Sequence, residues 1–316
     1  MWGGPFRAAL TRGRQAPCHT PFDMPALKLV VEHPLAELIA PPGREGILEA
    51  SGVVAKGRDL FVIFDNLKRV ARLDRDLEPG SARHAWLGAA RQGEGYEDIA
   101  YSAARRRFYL LIEAQKHVDG TYKALIEECS DAGRFLGRTW VDIPFEKRNT
   151  GFEGLTAVEW RGREYLLALC EGNRCRGGKK GREPGGGRIH VLQKRGGRWQ
   201  STACIKLPRR AAFEDYSAVA VRGTHIAVIS QQTSRLWLGV LRCSDWTIPR
   251  AGRVYDFPRT RKGKPRYCTV EGICWLSPTR FAVVSDAAKP GEGKRCRKTA
   301  QSIHIFSLPS GKKDKR

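Results

Sequence analysis

Ala50-Ser51-Gly52-Val53, Tyr96-Glu97-Asp98-Ile99, Phe152-Glu153-Gly154-Leu155, Tyr216-Ser217-Ala218-Val219 and Val270-Glu271-Gly272-Ile273 are one phrase written five times. Each copy sets a Ser or Glu before a small or acidic residue and then an aliphatic one. A short apolar alternation follows, and a second apolar run comes about ten residues later. Alternation of period two is the signature of a strand, so each copy reads strand, turn, strand. The Ser and Glu positions recur 46, 56, 64 and 54 residues apart, the size of a four-stranded propeller blade and not of a helical repeat.

Counting strands outward from the phrases gives four per blade except in the last. The first blade's fourth strand is expected at Arg83–Leu87 and the second blade's at Arg138–Ile143. The fifth blade has only Phe281–Ser285 and Ser302–Leu308 after its phrase, while Ala26–Glu32 is left over at the other end. A sheet short of a strand and a strand short of a sheet solve each other, and a ring closed this way has no open edge. The expectation is an all-β chain: a single five-bladed β-propeller over residues 26–309, with four-stranded blades and the N-terminal strand closing the last blade. Residues 1–25 read as a disordered leader or a start assigned too early, and 310–316 as a solvated basic tail.

The chain of 316 residues carries 56 Lys and Arg against 33 Asp and Glu, a net charge of +23. Such an excess attracts anions: a phosphorylated small molecule, nucleic acid or an anionic surface. Nucleic acid is the weaker expectation, because Tyr and Trp do not interleave the basic loops as stacking platforms would. No apolar run approaches the roughly 18 residues of a membrane span. The nine cysteines show no paired CxxC spacing, and Cys170, Cys204, Cys243 and Cys274 sit in apolar contexts that suit reduced thiols. A cytoplasmic location is therefore expected, with a Cys175–Cys296 contact between two basic loops left open. There is no GxSxG elbow, HExxH, Walker loop or EF-hand loop.

In a propeller the innermost strands start around the mouth of a central channel. The first phrase residues, Ser51, Glu97, Glu153, Ser217 and Glu271, therefore converge, and three carboxylates around one axis repel unless a cation lies between them. A hard cation with oxygen ligands fits, calcium first and magnesium or manganese next, whereas no His or Cys set suggests zinc. The other reading of the same residues is that they bind backbone groups of the next blade and staple the ring.

Second strands return to the same mouth and end in Asp65, Glu113, Glu171, Gln231 and Asp286. Asp65, Glu113, Glu171 and Asp286 are candidate catalytic acids or bases, and strand-end caps in the other reading. The neighbouring loops carry the basic excess, and Arg69, Lys116, Arg174, Arg176, Arg235 and Arg295 are the candidate anion ligands.

The order Ser, Glu, Glu, Ser, Glu, carried by Glu49-Ala50-Ser51-Gly52-Val53-Val54 with Asp65-Asn66 and by Val270-Glu271-Gly272-Ile273, resembles the centre of the five-bladed calcium-activated nucleotidases, the apyrase propellers. It is also similar to bacterial propellers of the SdiA-regulated and phytase-esterase-like groups. The first resemblance implies one side chain per blade on a central calcium. The expected function is a calcium-dependent hydrolase of phosphate esters or anhydrides at the channel mouth. The alternative is a propeller that binds an anionic ligand, protein or nucleic acid without turnover.

Overall fold

A computed structural model describes residues 24–42, 46–91, 95–148 and 150–310; the expected leader up to residue 23 and the tail from 311 lie outside the described residues. After β1 (Lys28–Pro34), blade one comprises β2 (Ala50–Lys56), β3 (Asp59–Phe64), β4 (Lys68–Asp74) and β5 (Ala85–Arg91). Blade two comprises β6 (Ile99–Ser102), β7 (Arg107–Lys116), β8 (Tyr122–Ser130) and β9 (Phe135–Trp140). Blade three holds β10 (Phe152–Trp160), β11 (Arg163–Cys170), β12 (Arg188–Arg195) and β13 (Arg198–Lys206), and blade four β14 (Ala218–Arg222), β15 (His225–Ser230), β16 (Arg235–Val240) and β17 (Arg253–Asp256). Blade five is β18 (Val270–Ser277), β19 (Arg280–Ser285) and β20 (Ser302–Ser307), completed by β1 in the order β18-β19-β20-β1. The five-bladed propeller is thus the fold, and no described helix is long and apolar enough to cross a membrane.

The second strand of each blade shows why the sequence closes into a ring. On β3, Leu60, Val62 and Phe64 pack against Ala282, Val284 and Ile303 of blade five. The alternate residues Phe61 and Ile63 pack against Ile99, Phe108 and Leu110 of blade two. Equivalent clusters join blades two and three, three and four, and four and five. Both faces of these strands are buried, which is why they read as unbroken apolar runs.

The inner strands approach closely at the second phrase position. A Cβ on Gly272 would lie 2.7 Å from the Gly52 Cα, and one on Gly154 would lie 2.9 Å from the Val219 nitrogen, so small residues are required there. Asp98 is the exception, and its buried carboxyl accepts from the backbone N–H of Ile99 at 2.8 Å and of Leu155 in the next blade at 2.6 Å.

Three expected strands are shifted along the chain by two residues or more at both ends. The closing strand runs 28–34, because Ala26 instead bridges Asp256 of blade four. The fourth strand of blade two is 135–140, since Val141 leaves the sheet to bridge Trp199 of blade three. In blade one the outer strand starts at Ala85, after a turn in which the His84 N–H donates to the Ser81 carbonyl.

The closing strand is clasped by a buried relay. Ser285 on β19 lies 3.0 Å from His304 Nε2, His304 Nδ1 lies 3.1 Å from Glu32 Oε2 on β1, and the Tyr267 hydroxyl donates to that carboxylate at 2.9 Å. The order is that of a Ser-His-acid triad, but Ser285 and His304 are completely buried, so the relay fastens β1 to β20 and faces no ligand space.

The cysteines also depart from expectation. Cys170 is joined to Cys175 and Cys268 to Cys296, while the Cys175–Cys296 contact is not formed. The loop after β11 turns straight back on itself, and the helix at Lys294–Arg297 lies over the segment before β18, so each sulfur meets a nearer partner. Cys274 is a buried thiol, but Cys204 is exposed and Cys243 half-buried. With two disulfides, cysteine usage gives no ground for a reducing compartment.

Candidate functional site

Inner strands start, and second strands end, on one face of the ring. Of the expected metal residues, Glu97, Glu153, Ser217 and Glu271 line a single cavity of about 290 Å³ at that mouth. All four candidate catalytic acids, Asp65, Glu113, Glu171 and Asp286, line the same cavity, together with Asp215, Gln231 and Lys289. Ser51 does not join them: it is buried, and its hydroxyl donates to the Tyr96 carbonyl of the next blade. Ser217 lines the cavity while also donating to the Val270 carbonyl at 3.1 Å. The stapling role therefore falls on Ser51, Ser217 and Asp98, and the three glutamates face the channel.

Eight carboxyls against one lysine set the electrostatics. Burial pushes Glu97 up to about 8, helped by Asp65 and Glu113, although its hydrogen bond with Glu153 works the other way. Glu153 and Glu271 are raised well above the usual carboxylate range, chiefly by burial and then by neighbouring acids. Glu113 is pushed up to about 7 by burial, Asp65 and Glu171, and Asp286 to about 6 by burial, with Glu49 and Asp65 adding to it. The Gln231 amide donates to Glu271 Oε1 at 2.6 Å, and the Gln232 N–H donates to Asp215 Oδ2 at 3.1 Å.

Carboxylates, a hydroxyl and an amide oxygen make a hard donor set. That composition fits calcium, magnesium or manganese and not a thiophilic ion. The acids surround a shared space without forming a closed cage. Among the described residues, the one set of three carboxylate, Cys or His groups whose ligand atoms all lie within 4.8 Å of one another is Cys170, Cys175 and His190. A cation held among the acids would meet only a few protein oxygens at once.

The basic candidates divide. Arg176 lines a cleft of about 340 Å³, and Arg295 lines a cavity of about 450 Å³ while donating to the Pro265 carbonyl at 2.9 Å. The remaining four line none of these cavities. Arg69 stacks on Trp86 at 4.9 Å, Arg235 pairs with Asp256 at 3.0 Å, and Lys116 and Arg174 are exposed outside these linings. Lys147, Arg182 and Lys289 take their place in the Arg176 cleft. None of Lys147, Arg176, Arg182 and Lys289 makes an ion pair within 4.0 Å among the described residues.

The cleft and the acidic cavity are continuous, sharing Glu171, Asp215, Gln231 and Lys289. Burial and Asp215 raise Glu171, and Lys289, Arg182 and Lys147 oppose that rise across the shared boundary. Lys289 and Arg182 are visible in the sequence within basic loops, and Asp215 within an acidic step before its phrase. Lys147 carries no signal, since a lone lysine among Glu146 and Arg148 reads as a solvated face.

Asn173 builds the wall of the cleft. Its buried amide donates to the carbonyls of Gly181 at 2.8 Å and of Phe213 and Glu214 at 3.1 Å, while its oxygen accepts from the Gly186 N–H at 2.7 Å. The Arg176 carbonyl sits between Gly172 and Gly181, where a Cβ on either would approach it to 2.0 Å.

No known family's sequence profile matches the chain, and no curated protein is significantly similar to it. Among solved structures, the glutaminyl cyclase of Myxococcus xanthus superposes with a TM-score of 0.55 over 91% of this chain and 99% of its own, at 10% identity. The PQQ-bound aldose sugar dehydrogenase of Streptomyces coelicolor gives a TM-score of 0.48 over 92% and 100%, at 11% identity. What the first of these similarities shows is the fold alone, at an identity too low to carry a chemistry to this chain.

Proposed function

We propose that the channel mouth binds a hard divalent cation, calcium first, and hydrolyses a phosphate ester or anhydride held against the adjoining basic cleft. The observation that carries this reading is the continuity of eight carboxyls with four cations that, among the described residues, make no ion pair within 4.0 Å. Acids alone suit a cation and bases alone suit an anion; side by side, they suit a phosphate that meets both. Glu97, Glu153 and Glu271, with Ser217, would hold the cation, which when bound supplies charge that polarises a phosphate oxygen.

The chain's own groups do the rest. Lys147, Arg176, Arg182 and Lys289 bind the phosphate and orient it toward the acids. Glu113, pushed up to about 7, is poised to take a proton from water near neutral pH, and Asp65 beside it keeps that carboxyl basic. The water oxygen bonds to phosphorus as the bond to the leaving oxygen breaks.

The test is a phosphate-release screen over nucleotides and phosphomonoesters with calcium, with magnesium, with manganese and with chelator, run beside thermal melting. Release that chelator abolishes, and that Glu113→Gln lowers at least about a hundredfold while calcium still raises the Tm, is the expected result. Calcium-dependent stabilisation without turnover on any phosphate would replace hydrolysis by anion binding. Absence of both removes the proposal.

A further inference from the structure

Cys170 ends β11 with no exposed surface, and Cys175 ends the turn Asn173–Cys175 that follows it. His190 stands beside them on β12, opposite Ala168 in the register. Its Nε2 lies 3.5 Å from the Cys175 sulfur and its Nδ1 lies 2.9 Å from the Ser201 hydroxyl. Both sulfurs and a ring nitrogen lie within 4.8 Å of one another.

A disulfide needs only its two cysteines. Here an imidazole also directs one nitrogen at the sulfurs while a hydroxyl engages the other, the arrangement by which a second partner fixes the tautomer of a ligating histidine. The C-x4-C spacing falls within that of structural zinc sites, and two thiolates with one neutral imidazole make a soft donor set, unlike the oxygen set at the channel mouth. The backbone is already shaped for the loop: Arg174 and Cys175 both adopt left-handed conformations, at φ 58° and 57°, held by the Asn173 hydrogen bonds.

We propose that Cys170, Cys175 and His190 form a second metal site, closed as a disulfide when oxidised and binding a thiophilic divalent cation of the zinc class when reduced. A dithiol or phosphine reductant supplies two electrons and is itself oxidised. The S–S bond breaks, each sulfur takes a proton, and binding of the cation releases both protons as the thiolates coordinate. Cys175 and His190 are partly exposed, which leaves a fourth position for water. A sulfur–sulfur bond and a sulfur–metal–sulfur bridge close the same short loop, so the wall bearing Arg176 is tied in either state.

The test uses the full chain, reduced with a phosphine, freed of reductant and titrated with cobalt(II) in excess calcium. Thiolate-to-cobalt charge transfer reports sulfur ligation alone and is silent to the carboxylates. One equivalent of cobalt should develop the band in the reduced protein and in a Cys268→Ser, Cys296→Ser double variant, which removes the other disulfide. The band should be absent from the unreduced protein and from Cys175→Ser, and His190→Gln should weaken cobalt binding about tenfold or more. The proposal is overturned by a missing band in the reduced wild type, by a band that survives Cys175→Ser, or by unchanged affinity in His190→Gln. Loss of the strand circular dichroism on reduction also overturns it, because the site must persist without its S–S bond.

Discussion

Glu97 and Glu153 are buried among like charges, and both are thereby pushed toward their protonated forms. Folding therefore raises their affinity for protons, and a group with a folded pKa above its ordinary value contributes stability that is lost as pH rises through the folded pKa. For Glu97 that window runs from 4.5 up to about 8, and for Glu113 from 4.5 to about 7. His304 in the clasp tilts the other way, since burial holds it below its usual 6.5, but its contribution is complete above that value. Between about pH 6.5 and pH 8 the acidic cavity sets the slope. One proton lost across that interval is worth about 2 kcal/mol, or a fall in Tm of about 3 °C in chelator. Calcium should remove the slope, and Glu153→Gln should flatten it without calcium. A chelated wild type whose Tm stays level or climbs over that interval would show that the acids are not crowded in solution.

Between β11 and β12 the loop is held by Asn173, and the turns of this one element decide where Arg176 and Arg182 stand. Truncating that amide leaves buried carbonyls and an N–H without partners, each costing about 1–3 kcal/mol. Asn173→Ala should thus lower the Tm by several degrees and weaken binding of inorganic phosphate at least about tenfold, while calcium affinity changes little. Equal losses of both affinities would mean that cleft and cavity are one site. Elements also mark the limit of what the residues alone disclose. Glu97, Glu153 and Glu271 were legible because a period-two strand that recurs in every blade must start at the channel. Arg69 and Arg235 looked equivalent to Arg176, yet Trp86 and Asp256 in their own blades engage them. Strand position predicts which mouth a basic residue is near, but its neighbour on the next strand decides whether it is free to meet a ligand. The cysteine pairs were hidden for a related reason, since Cys268 and Cys296 are 28 residues apart and meet only through the path of the loop between them.

At the scale of the ring, closure rests on β1, whose removal would leave β20 with an unpaired edge and Phe306 and Ile305 less covered. A chain starting after residue 34 should aggregate or lose its cooperative melting transition, as an open sheet edge invites pairing between molecules. A monodisperse, cooperatively melting truncation would show that the clasp of Glu32, His304 and Ser285 is dispensable. The fold itself was legible because five copies of one phrase impose five interfaces of one kind, each burying alternate residues of a second strand. Net charge of +23 around an acidic centre is the other whole-molecule feature, and the centre is where the two signs meet. The most direct measurement is calorimetric titration of the chelator-treated protein with calcium at about pH 6 and about pH 8, for the wild type and Glu153→Gln. Binding at one dominant site should be tighter at the higher pH, with release of protons, and should fall at least about tenfold in the variant. Calcium binding that is absent at the higher pH, or that is unchanged in Glu153→Gln, would contradict the account.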